Sequence, residues 1–367
     1  MKKLITGLLI ALVLVVIGGM IFAGCAKPIP APAPTPAPKP APAPTPAPAP
    51  AEEKVIKWTA PSCWLEGGPG FMADRDIFSK LVKERTGGRL EIEPIPMGQM
   101  IDMFAVLDAV KSGAIPFASS AGVMHGGLIP EAELESSLPF SWETVEELYH
   151  VMYDLGMRDF LREAYARQNV YYLDFFPCDS YTSASSKAVR SLEDWKGLKV
   201  GTLGGLQADL WTALGAVPTI VGIPEQAMAV KMGTIDVAPF YTQGMFVLKM
   251  YEVADYWLFP PLQRISVQNY IMNMDEWNKL PDDIKLVLEW TALETGIRAR
   301  ANFQVSNMEF YPMLEEGFKE IISLPDEDAR EMMRIGVTIW DDYAAKNPQV
   351  KDVIEMRKEL RKTMGLL

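Results

Sequence analysis

The chain has 367 residues, with 35 Lys and Arg against 47 Asp and Glu, a formal net charge of -12, and 49% hydrophobic residues. That balance excludes a disordered or multi-spanning chain, and the acidic excess argues against nucleic acid and anionic lipid, because neutralising phosphate takes a surplus of Lys and Arg. A single core stops growing near roughly 250–300 residues, so the body that follows the N-terminal segments divides into two α/β units.

Lys2 and Lys3 precede an apolar run from Leu4 onward that ends in Phe22-Ala23-Gly24-Cys25. This reads as a secretory signal closing on a lipobox-like site, with diacylglycerol accepted by the Cys25 thiol and the signal occupying residues 1–24. The alternative is an uncleaved anchor, since Leu4 to Ala23 is about twenty residues, the length of a membrane span. Both readings put the body on the outer side of the cytoplasmic membrane or in the periplasm, because the two lysines stay inside. Residues 25–53 are almost purely Pro and Ala with some Thr. Such a segment cannot pack a core; as polyproline II at about 3.1 Å per residue it makes a semi-rigid tether. Cys63 and Cys178 remain, either paired or, as the patternless spacing favours, two separate semi-buried thiols.

The body opens with a strand from Val55 to Ala60 and a loop carrying Trp64 and Glu66. A helix presents Phe78, Leu81 and Val82 on one face and stops at Gly87-Gly88. Leu90 to Ile95 is a strand, and a helix follows with Met103, Leu107 and Val110. Ile115 to Ser119 is a strand; helices lie around residues 145–152 and 160–164, and Val170 to Phe176 is a strand dense in aromatics. The pattern then restarts: Leu198 to Thr202 as a strand, Gly204-Gly205 leading into a helix with Leu206 and Leu210, a helix from Pro224 to Gly233, and Ile235 to Ala238 as a strand. Ser266 to Met274 reads as a strand returning to the first unit, and the sequence from Pro281 on is mostly helical. Strand-helix alternation predicts an α/β chain, with a mainly parallel sheet in the first unit and a second, smaller α/β unit after it. Two chain crossings, near 170–181 and 258–274, predict a cleft where the lobes meet. The first lobe is expected over 54–177 plus 270–367 and the second over 178–269.

Catalytic signatures are missing: no Gly-x-Ser-x-Gly, His-Glu-x-x-His or phosphate-binding Gly-Lys-Ser loop occurs. His125 reads as a loop residue and His150 as a helix-surface residue, and neither has a partner at metal-ligand spacing. Neither a metal nor a cofactor is expected. Gly204-Gly205 before a helix is either an anion cradle or a tight turn. Trp64, Phe140, Trp142, Tyr181 and Tyr241 sit at predicted strand ends or in loops, where aromatic side chains can line a cleft.

Several ordered segments resemble the substrate-binding proteins of tripartite ATP-independent periplasmic (TRAP) transporters of the DctP type. They include Lys57-Trp58-Thr59, Thr86-Gly87-Gly88-Arg89-Leu90-Glu91-Ile92, Ala109-Val110-Lys111-Ser112-Gly113, Leu138-Pro139-Phe140, the run Val189 to Val200, Leu214-Gly215-Ala216-Val217-Pro218 and Gly233-Thr234-Ile235-Asp236. The resemblance spans about Val55 to Glu294. It implies a two-lobed periplasmic-binding-protein fold with a long bridging helix, closure around a small solute, and delivery to membrane subunits of the transporter. Where the family carries a carboxylate-clamping Arg this chain has Gly201, and the stretch after Gly233-Thr234-Ile235-Asp236 carries Pro239, Phe240 and Tyr241 in place of the family's usual residues.

The sequence thus points to a monomeric, lipid-anchored solute receptor, for an organic acid or related polar solute. Its expected pocket comprises Trp64, Glu66, Phe140, Trp142, Tyr181, Gly204, Tyr241, Gln243, Arg264 and Asn269, with Arg264 standing in for the missing guanidinium. Two other readings remain: an exported hydrolase working with cleft carboxylates such as Glu66, and a receptor reporting to a sensor kinase.

Overall fold

A computed structural model describes residues 55–366. The expected signal, tether and Cys25 lie outside the described residues. Among the described residues, no helix is long and apolar enough to cross a membrane.

β1 (Ile56–Pro61) and β2 (Leu90–Ile95) pair in parallel, Ile56 opposite Leu90, with the buried Leu90 and Ile92 alternating against Glu91 and Glu93 on β2. β3 (Phe117–Ser120), β4 (Val170–Pro177) and β10 (Val267–Asn273) form a sheet in the order β3-β10-β4, with β10 antiparallel to both neighbours. β10 is central because Tyr270, Ile271 and Met272 are apolar on successive positions and buried on both faces. On one face of this sheet Tyr270 stacks with Phe78 at 4.4 Å, Phe117 at 5.5 Å and Phe176 at 5.1 Å, so one aromatic cluster fixes the Ala73–Ser79 turn of helix to the strands.

The second sheet has six strands. In order they are β11 (Glu320–Ser323), β9 (Tyr256–Gln263), β5 (Tyr181–Ser185), β8 (Val237–Tyr241), β6 (Lys199–Thr202) and β7 (Val217–Ile220). β6 runs parallel to β7 and β8, whereas β5 is antiparallel to both β8 and β9. The expectation of a mainly parallel sheet in the first unit is therefore corrected: both sheets are mixed or antiparallel at their centres, because the strands that cross between lobes enter each sheet from the opposite end.

The chain passes directly from strand to strand between the sheets at two crossings, β4 into β5 and β9 into β10, and a third time through the long helix that links β10 to β11. The two crossings are bonded to each other: Cys178 N donates to Ser266 O at 2.8 Å, Ser266 N donates to Asp179 O at 3.0 Å, and the Ser266 hydroxyl donates to the same carbonyl at 2.8 Å. Beside them runs the helix Asp282–Gly317, 36 residues and so about 54 Å long. Gly296 lets it approach β4, since a Cβ there would sit 3.1 Å from Phe176 Cβ. Further on, Phe310 stacks on Phe246 at 4.4 Å. One helix therefore packs on both lobes, as the resemblance implied.

The tail does not stay wholly with the first lobe. β11 pairs in parallel with β9, and the helix Asp326–Lys346 packs against the helix Gly205–Ala213. β11 thus departs from the assignment of 270–367 to the first lobe, whereas the helices after it also bond to Pro130, Leu134 and Pro139 of that lobe. Below it, Arg357 is fully buried, donating to Leu134 O at 3.2 Å and Ser141 O at 2.6 Å, with its guanidinium 3.6 Å from the Trp142 ring centroid.

Candidate functional site

Where the lobes meet, loops at the ends of β1, β2, β3, β5, β6, β8 and β9 enclose a small cavity of about 30 Å³, at the kind of lobe boundary where small-molecule sites form. Its polar wall is Tyr181, Gln207, Tyr241, Gln263, Ser266 and Gln268; its apolar wall is Cys63, Met97, Val123, Met124, Leu203 and Ile223. The lips touch: a Cβ on Gly98 of the first lobe would lie 3.8 Å from Pro224 Cγ of the second.

Each polar side chain is placed by its element. Tyr181 opens β5 directly after the crossing, and Tyr241 ends the neighbouring β8 directly opposite it. The Tyr241 ring meets Trp64 edge-on at 5.2 Å. Gln207 lies in the first turn of the 205–213 helix. That helix starts where Gly204 adopts φ 105° and ψ -154°, a conformation reserved for glycine. Gln263 donates its amide to Ser136 O at 2.6 Å, which holds its carbonyl toward the cavity. Gln268 is on β10 beside the buried Asn269, and strand alternation turns it to the cleft.

Of the residues expected in the pocket, only Tyr181 and Tyr241 line the enclosed space. Trp64 is buried one layer behind it, tilted against Phe176 at 5.7 Å and Phe303 at 5.6 Å. Glu66 is exposed and accepts from Gln99 Nε2 at 3.0 Å. Gln243 is buried against the long helix, donating to Asn307 Oδ1 at 2.6 Å and Phe303 O at 3.2 Å. Asn269 is buried within the first lobe and donates to Glu135 Oε2 at 2.8 Å. Phe140 and Trp142 belong to the layer under the C-terminal helices, Phe140 against Gly336 and Trp142 with its indole N–H on Glu135 O at 2.8 Å. Gly204 serves the turn rather than the cavity wall. Arg264 is half-exposed and pairs with Glu143 Oε1 at 2.5 Å, and it opens on a wide groove along the long helix with Arg300, Asn307 and Tyr311.

His125 lies in a turn, as expected, but is buried, with Ser120 Oγ 2.9 Å from Nε2 and the Tyr165 hydroxyl 2.7 Å from Nδ1. Burial pushes its pKa down to about 3, so the ring is neutral. His150 lies on the helix surface, 2.9 Å from Asp154. Cys63 and Cys178 are both free and buried. Burial raises the Cys63 thiol far above its ordinary range, leaving it a small apolar wall group. Among the buried carboxyls, Asp74 and Asp174 are raised to about 6 and Glu133 and Glu135 to about 7, and Asp179 is raised as well, each chiefly by desolvation. None lines the cavity.

Residues 72–347 match the profile of the bacterial extracellular solute-binding proteins, family 7. The monocarboxylate 2-oxoacid-binding periplasmic protein of Nostoc sp. is 25% identical over 320 residues, 84% of each chain. The C4-dicarboxylate-binding periplasmic protein of Rhodobacter capsulatus is 23% identical over 277 residues, 73% of this chain and 81% of that one. Among solved structures, a TRAP transporter solute-binding protein of Bordetella bronchiseptica with copurified calcium and picolinate superposes with a TM-score of 0.78 at 21% identity, covering 85% of this chain and 93% of that one. One of Chromohalobacter salexigens with bound (S)-(+)-2-amino-1-propanol gives 0.76 at 19%, covering 84% and 96%. One of Roseobacter denitrificans with bound β-D-glucuronate gives 0.75 at 20%, covering 82% and 98%. The chain belongs to the bacterial extracellular solute-binding proteins, family 7.

Proposed function

We propose that the solute is held in the interlobe cavity by Tyr181, Gln207, Tyr241, Gln263 and Gln268, and that the lobes close over it about Cys178–Ser180 and Arg264–Ser266. The observation that carries this reading is the enclosed cavity walled by both lobes directly beside two crossings that are hydrogen-bonded to each other. The lobe boundary is accordingly drawn between β4 and β5 and between β9 and β10, with β11 added to the second lobe and the C-terminal helices packed on both.

The receptor binds and releases without chemistry. Its cavity wall carries no carboxylate and no His, and the buried thiol is not a thiolate, so the groups a hydrolase needs are not presented to a bound molecule. Glu66, the carboxylate a hydrolase reading relied on, faces solvent beside Gln99. The relatives bind organic acids and an amino alcohol, which supports a small polar solute here. A lipid on Cys25 and the Pro/Ala tether keep the monomeric receptor near the transporter's membrane subunits.

Two measurements test this. The mature protein's melting temperature should climb with solute concentration, as binding to the native state alone requires, and the solute should be recovered unchanged; turnover would favour the hydrolase. Cys25→Ala should shift the protein from the detergent phase to the aqueous phase, and an unlipidated mature N-terminus by mass spectrometry would contradict the anchor.

A further inference from the structure

The cavity differs from a carboxylate clamp in three independent ways. First, none of the fifteen residues that line it is Asp, Glu, Lys, Arg or His. An ionised carboxylate enclosed there would have lost water without gaining a cation, which burial penalises heavily.

Second, the arginines within reach are committed elsewhere. Arg264 is half-exposed and paired with Glu143. Arg300 donates to Cys178 O at 2.5 Å and lines the groove along the long helix. Arg357 and Arg361 hold the carbonyls of Leu134 and Ser141 beneath the C-terminal helices. Gly201 offers no side chain, and a Cβ built on it would meet Ile235 Cδ1 at 2.9 Å, within the second lobe.

Third, the backbone anion site is already taken. The N-terminus of the 205–213 helix, the turn that brings Gln207 to the cavity, faces the protein's own Glu133, with Oε2 3.4 Å from Leu206 N. Gly126 and Gly205 pack directly on that carboxyl, and a Cβ on either would collide with it. A ligand carboxylate at this helix end would meet a carboxyl.

What remains to recognise a solute is neutral. Among the described residues, the Tyr181 hydroxyl and the Gln207 amide make no hydrogen bond to protein and are open to the cavity. The Gln263 carbonyl, whose amide is used on Ser136, faces the same space as an acceptor. Opposite them stand Met97, Met124, Leu203 and Ile223. Resting on the reading of this cavity as the solute site, we propose that the solute is an uncharged molecule, an amide or alcohol with both donor and acceptor groups on one side and an apolar face on the other.

The experiment uses the mature protein, dialysed free of bound solute, and a cell extract split on anion and cation exchangers in series into anionic, cationic and neutral fractions. Thermal melts are recorded with each fraction at increasing dose. The neutral fraction is expected to raise the melting temperature dose-dependently, while the two charged fractions leave it near the solute-free value. Stabilisation carried by the anionic or the cationic fraction overturns the proposal and leaves the receptor reading intact. Stabilisation by no fraction overturns the receptor reading itself. Gln207→Leu is expected to shift the neutral-fraction dose response by about tenfold, the loss of one hydrogen bond to an enclosed polar group. An unmoved dose response removes Gln207 from the recognition site and overturns this account of it.

Discussion

Arg357→Ala is expected to lower the unfolding free energy by roughly 3–5 kcal/mol, the range for breaking a buried, partnered charge. Its guanidinium is fully buried, and burial pushes its pKa down to about 9, so it remains charged at neutral pH. Removal strands the carbonyl of Leu134 and leaves that of Ser141 to Arg361 alone, loosening the join between the C-terminal helix and the 130–142 segment. It also empties the space between Trp142, at 3.6 Å, and Trp340, at 5.1 Å. Arg357→Met keeps most of the volume and should recover part of the loss, separating packing from the donors. Urea unfolding measures both. A change under about 1 kcal/mol for the Ala variant would show that the tail docks by apolar contact alone.

The second large effect is on pH. Asp74, Asp174, Glu133 and Glu135 carry raised pKa values in the folded state, so between about pH 4 and 7 the folded protein holds protons that the unfolded chain has released. The stability they contribute is present below their unfolded values and is lost as pH rises through about 6 to 7, at about 1.4 kcal/mol per unit for each group. His125 works in the other sense: its folded pKa near 3 means the unfolded chain gains a proton first as pH falls below 6.5. Surface acids such as Asp283 and Glu320, held low by Arg89 and Arg190, add a loss in stronger acid. Four carboxyls outweigh one imidazole, so stability should be greatest near pH 4, where the unfolded carboxyls begin to ionise, and fall by several kcal/mol by pH 8. Urea midpoints across that range test it, and Glu135→Gln should shallow the decline. Stability that rises from pH 5 to 8 would mean these carboxyls are ionised in the fold.

Much of the fold was legible because its signals are local. β2 matches the expected Leu90 to Ile95 run residue for residue, since strict alternation fixes both faces at once. β5, β7, β9 and β11 do not stand out in the sequence. β5 is Tyr-Thr-Ser-Ala-Ser, without an apolar run; it is a strand because β8 and β9 flank it and Thr182 accepts from the Trp257 indole at 2.8 Å. β9 contains Pro260 and Pro261, which read as a break, and its pairing with β5 does shift register between Tyr181 and Ser183.

The site was harder to read, for a physical reason. Aromatics near strand ends read as cleft walls, but Trp64, Phe140 and Trp142 are large enough to serve the core one layer back. Asn269 and Gln268 are adjacent, and the alternation of β10 sends Asn269 inward to Glu135 and Gln268 to the cavity; choosing the wrong one is a one-residue error in register. Arg264 was expected inside because it follows a hinge strand. It faces outward because Glu143 neutralises it there. Gln207 had a readable signal in the Gly204-Gly205 turn, whose geometry puts the first helical turn at the cleft.

The central claim is that the two lobes close over a solute, and the distance across the lips measures it. Met100 lies two residues from Gly98, and Met228 is on the helix that follows Pro224; both are exposed, while Cys63 and Cys178 are buried away from labelling reagents. Spin labels at Met100→Cys and Met228→Cys should give a broad, longer distance distribution in solute-free protein and a narrow, shorter one when the stabilising fraction is saturating. A distribution that does not change while the melting temperature rises would contradict closure, because the solute would then be bound without bringing the lobes together.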